Sequence, residues 1–69
     1  MAAKIILDGN VIVIDGHYEI TLDRIPSHAA LVEWIAHMCD KTWFTVEDVF
    51  AFIYIVSKAK GWEVYGNHN

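Results

Sequence analysis

Thr45–Gly61, TVEDVFAFIYIVSKAKG, is the longest apolar segment of the chain and the one place where helix start and stop signals agree. Thr45 has the side-chain oxygen of a good N-cap, and Asp48, three residues on, supplies the acidic half of a capping box. Glu47 and Asp48 put negative charge at the positive end of the helix dipole, and Lys58 and Lys60 sit at the negative end. Gly61 tolerates the left-handed turn that closes many helices. A helix over 46–60 is predicted. At about 100° per residue, Glu47, Ala51, Tyr54 and Lys58 share one narrow stripe. Val49, Phe52, Ile53 and Val56 centre on the opposite side, with Phe50 and Ile55 widening the apolar arc at its edges. So broad an arc needs neighbours in two directions, which makes this helix the core element. Its uncharged run, Val49 to Ser57, is nine residues long. A bilayer span needs about 20, so no membrane partner is expected. A signal peptide is not expected either, because Asp8 interrupts the only early apolar run.

Upstream, Lys41–Phe44 is a short link, with Trp43 and Phe44 expected to plug the open end of the core. Before it, Ser27 is the natural cap of a helix over about 28–39. There Leu31, Trp34, Ile35 and Met38 share one face, and Glu33, His37 and Asp40 the other. The two helices form an αα-hairpin. Asp23-Arg24-Ile25-Pro26 leads into it from a three-stranded meander.

The meander occupies residues 4–22. Lys4–Leu7, Val11–Ile14 and His17–Leu22 are β-branched or aromatic runs separated by Asp8-Gly9-Asn10 and Asp15-Gly16, and Asp-Gly between such runs is a strong hairpin signal. A two-residue loop at Asp15-Gly16 pairs Val13 with Tyr18 and Val11 with Ile20, so both valines are expected to be buried. Ile12 and Ile14 then lie on the outer face beside Glu19 and His17. The first turn can be two or three residues long, which leaves open whether Ile6, or Ile5 with Leu7, joins them. After Gly61, Trp62–Tyr65 alternates and suits a fourth strand or a tail packed on the sheet. The expected fold is α+β, a three- to four-stranded antiparallel sheet in the order β-β-β-α-α-(β), with the αα-hairpin on one face.

Sixty-nine residues make a single domain, 1–69. A chain of this length buries only roughly 60% of its unfolded surface, and the 55% hydrophobic content answers that need. The lone Cys39 has no intramolecular disulfide partner, in keeping with a reducing, cytoplasmic setting. Nine acids against five bases give a formal charge of −4, which argues against direct nucleic-acid binding, since that is driven by neutralising phosphates. Residues 1–40 hold six of the acids and only two bases, Lys4 and Arg24.

No catalytic, metal or cofactor site is expected, and no enzyme. His37 and Cys39 are about 200° apart on a helix, a poor chelating pair, and Cys39 reads as a buried small residue with His37 solvated. His17 and Glu19, two apart on a strand, share a face, a spacing common on any exposed polar face. Trp34, Trp43 and Trp62 are the size of residues that build a small core.

The stretch ITLDRI…ALVEWIAHMCDKTWFTVEDVFAFI, within residues 18–62, resembles short proteins encoded by bacteriophages and other mobile elements. The shared features are a strand ending Leu22-Asp23-Arg24-Ile25, a Leu31-x-x-Trp34-Ile35 helix, the Lys41-x-Trp43-x-Thr45 link and an apolar helix. The resemblance implies a context in the host bacterial cytoplasm, in company with inhibitors of bacterial defence such as anti-CRISPR proteins. Those act by occupying a target surface or imitating the charge of DNA.

Two partner surfaces are therefore expected. One is the apolar outer sheet face at Ile12 and Ile14, since contiguous apolar patches are usually covered. Its occupant is a protein partner, a second copy or the Trp62–Tyr65 tail folding over, and a second copy would make the chain a homodimeric structural or regulatory subunit. The other surface is acidic: Asp15 at a hairpin tip, Glu19 and Asp23 about 13 Å apart along one strand face, and Asp40, Glu47 and Asp48 around the inter-helix link. It suits a nucleoprotein defence complex.

Overall fold

The computed structural model describes residues 4–15 and 17–62. Three strands, β1 (Ile5–Asp8), β2 (Val11–Ile14) and β3 (Tyr18–Thr21), form an antiparallel sheet in the order β1-β2-β3. One 3-10 turn, Leu22–Arg24, leads to two helices, α1 (His28–Cys39) and α2 (Val46–Lys60). The fold is α+β, in the expected order of strands and helices. The fourth strand expected over 62–65 lies, beyond Trp62, outside the described residues.

Both helices start as their caps dictate. Ser27 Oγ accepts from Ala30 N–H (3.3 Å), and Thr45 and Asp48 form a complete capping box. There Asp48 N–H donates to Thr45 Oγ1 (3.2 Å) and Thr45 N–H to Asp48 Oδ2 (2.9 Å). Gly61 ends α2 at φ 76°, where a side chain would be strained.

The first hairpin turns on Gly9-Asn10, with Asp8 opposite Val11, so Ile5 and Leu7 share a face with Ile12 and Ile14, and Ile6 points away. The second hairpin departs from expectation. Ile14 pairs with Tyr18 and Ile12 with Ile20, leaving three residues, 15–17, between the strands. Relative to a two-residue loop, this one-residue slip exchanges the faces of β2 with respect to β3. Ile12 and Ile14 are buried, at 0% and 1% exposure, and Val11 and Val13 move to the outer face. The physical reason is area. Each isoleucine buries one more methylene than a valine, about 0.8 kcal/mol apiece, which outweighs the turn preference of one Asp-Gly pair. The expected partner face at Ile12 and Ile14 is thus the floor of the core.

That core joins Ile12, Ile14 and Ile20 to Ile25, to Leu31 and Met38 of α1, to Phe44, and to Phe52 and Val56 of α2. Packing of α2 against both β1 and α1 explains its wide apolar arc. The arc stops short of Phe50, which is 56% exposed, and Ile53 is only half-buried. Cys39 is exposed rather than buried, because Met38 already occupies the inward position one residue earlier.

Candidate functional site

A row of rings crosses the molecule from the β2–β3 turn to α1. His17 lies flat on Trp43, with centroids 3.7 Å apart and planes 4° apart. This stack ties the turn to the inter-helix link, and Phe44 meets Trp43 edge-on from the core at 5.7 Å. Tyr18 lies 6.0 Å from Trp43, and its hydroxyl is hydrogen-bonded to His37 Nε2 at 3.2 Å, joining β3 to α1. Trp34 continues the row with an edge contact to His37 at 6.0 Å. Its indole N–H donates to the Arg24 carbonyl (3.1 Å), and the Arg24 guanidinium sits 5.6 Å from its ring centroid.

Beside the end of this row lies an open groove of about 580 Å³ between the Leu22–Arg24 turn and α1. Asp23, Arg24 and Pro26 line it on one side, and Ala30, Glu33, Trp34 and His37 of α1 on the other. Helical spacing produces the second wall, because Ala30, Glu33, Trp34 and His37 follow one another at intervals that recur on one face. The three tryptophans are all half-buried and packed against the core, so they serve both core and surface.

The acidic residues singled out from the sequence fall into three groups. Asp15 is exposed in the β2–β3 turn, and Glu19 is exposed on the outer sheet face opposite Val13. Asp23 is exposed but does not extend the line of Glu19, because β3 ends at Thr21 and the chain turns into 3-10 helix; it lines the groove instead. Asp40 and Glu47 are exposed at the C-cap of α1 and in the first turn of α2. Asp48 is 2% exposed and engaged in the capping box, so it is not a surface charge.

The outer sheet face carries Ile6 (45% exposed) and half-buried Val11 and Val13 in place of the expected isoleucines. A depression of about 130 Å³ lined by Lys4, Ile6, Val13 and Asp15 marks it, and another of about 430 Å³, lined by Val13, Ile14, His17, Tyr18 and Glu19, lies at the β2–β3 turn. A further exposed stripe, Val46, Phe50 and Tyr54, runs along α2 at four-residue spacing.

Sequence reasoning missed the groove. The available signal was Pro26 ending an extended segment beside a helix whose Glu33 and Trp34 straddle the border between its polar and apolar faces. Among the described residues, no group of three histidine, cysteine or acidic side chains is placed to hold a metal ion, and no helix is long and apolar enough to cross a membrane. No family model, curated protein or solved structure matches the chain.

Proposed function

We propose that the chain is a small acidic protein-binding module, a phage-encoded inhibitor of a bacterial defence complex that acts by occupying a surface of its target or by imitating the charge of DNA. It would act in the cytoplasm of the host bacterium, on a nucleoprotein complex whose nucleic-acid-binding surface is positively charged. One observation carries this reading. All six acids of residues 1–40, Asp8, Asp15, Glu19, Asp23, Glu33 and Asp40, are exposed, against two bases in the same segment. Complementary potentials of this kind speed encounter and select partners. Asp40 adds weight, because a carboxylate at a helix C-terminus opposes the dipole and costs local stability. A residue that breaks a local rule points to a use elsewhere.

The test is capture from bacterial lysate with tagged wild-type protein and with the Asp15→Lys, Glu19→Lys double variant, both in low salt. The wild type is expected to retain a large nucleoprotein complex that the variant releases. Equal retention by both would contradict the reading. A second reading, the homodimeric subunit, is favoured by exposed Ile6 beside Val11 and Val13 on the outer sheet face. It requires a mass that doubles with concentration in the absence of any partner and returns to the monomer value in Ile6→Lys.

A further inference from the structure

We infer that the groove between the Leu22–Arg24 turn and α1 seats an extended, arginine- or lysine-bearing segment of the partner protein. The inference rests on the protein-binding reading and adds to it the place and the chemistry of one contact. Trp34 supplies the apolar body of the site. Its indole N–H is held by the Arg24 carbonyl, and the Arg24 guanidinium lies over its ring. The side chain is thus oriented before any partner arrives. Pre-set aromatic residues of this kind dominate interface energetics, because little freedom is lost on docking. Pro26 and Ala30 extend the apolar lining, which suits the aliphatic stem of a lysine or arginine.

The charges select the partner. Asp23 and Glu33 stand on opposite walls, both exposed, with Arg24 the one arginine or lysine lining the groove among the described residues. Counting His37 as neutral leaves one net negative charge (two carboxylates less one guanidinium). An anionic ligand would meet both carboxylates. An uncharged apolar ligand would strip them of water and return nothing, a loss that buried polar groups make costly. A guanidinium or ammonium instead pairs with them, and a guanidinium does so in bidentate fashion. A metal ion does not fit, since Asp23, Glu33 and His37 are not placed to ligate one together. The groove is open along its length, which favours a chain lying across it over an enclosed small molecule.

The probe is a fluorescein-labelled hexa-arginine peptide, titrated by anisotropy at about 0.15 M salt, with hexa-glutamate as the opposite-charge control. Asp23→Asn with Glu33→Gln neutralises the groove using near-isosteric amides at exposed positions. Thr42→Lys with Ala59→Lys shifts the net charge by the same two units at exposed positions away from the groove, and circular dichroism checks that both variants are folded. Hexa-arginine is expected to bind the wild type, to bind the groove variant about fivefold to tenfold more weakly, as two exposed charge pairs warrant, and to bind the Thr42/Ala59 variant within about twofold of wild type. Equal weakening in the two variants would overturn the inference, because the peptide would then read net charge alone. So would the absence of saturable binding to the wild type. Lysate capture with the same variants separates the two failures. A partner held by wild type and groove variant alike sinks the groove assignment and leaves the module intact. Loss of capture in the groove variant supports the inference.

Discussion

At the scale of single residues, two acids that look alike in sequence have opposite duties. Asp48 is spent on the fold, since its carboxylate accepts the Thr45 N–H inside a nearly closed environment. Asp48→Ala is expected to cost about 0.5–2 kcal/mol, the range for losing a helix cap, and Asp48→Asn less, because an acceptor remains. Urea unfolding measures both, and a wild-type midpoint for the alanine variant would contradict the assignment. Asp40 has the reverse profile. It sits at the C-terminal end of α1, where a cation is preferred, so Asp40→Lys is expected to raise stability by about 0.3–1 kcal/mol at low salt. The same change is expected to weaken partner binding. A variant that is both more stable and better bound would show that Asp40 has no place in the docking surface.

At the scale of elements, the caps of both helices were legible because capping chemistry is local: Ser27, Thr45, Asp48 and Gly61 lie within a few residues of the ends they define. The register of β2 against β3 was not legible. Asp15-Gly16 suits more than one loop length, and the choice falls to a comparison across the whole core, two isoleucines against two valines. The groove was hidden for a related reason. It exists only because the chain leaves β3 after Thr21 and brings Asp23 opposite Glu33, a tertiary event that strand periodicity at Glu19 and Asp23 does not report. The register makes a sharp expectation. Ile12→Thr with Ile14→Thr places two hydroxyls in the core and is expected to unfold the protein, whereas Val11→Thr with Val13→Thr costs about 1–2 kcal/mol at most, within the span of strand propensities for half-exposed sites. Circular dichroism melts distinguish them, and the reverse order would restore the two-residue loop. Along α2 the same logic separates Phe52→Ala, at about 3–5 kcal/mol, from Phe50→Ala, whose ring is already largely in water. Ile53→Ala, at a half-buried site, is expected to fall between them.

At the scale of the whole molecule, charge and apolar surface are divided between the two sides of the chain's business. Residues 1–40 expose six acids, and the sheet turns Ile12, Ile14 and Ile20 inward. Acid enrichment of the first half was readable from composition, but composition did not say that Asp23 and Glu33 line one groove or that Asp48 is withdrawn from the surface. The exposed stripe at Val46, Phe50 and Tyr54 is the rival docking surface, and it differs from the acidic one in its response to salt. Exposed charges are screened over about 8 Å at physiological ionic strength and over still shorter distances above it, while apolar contacts are not weakened by salt. The most direct test of the acidic docking surface is the affinity for the captured complex, followed by interferometry as sodium chloride rises from about 0.1 to 0.5 M. The account predicts a fall of about tenfold or more over that range, with Phe50→Ser close to wild type throughout. An affinity that holds steady with salt and is abolished by Phe50→Ser would contradict it.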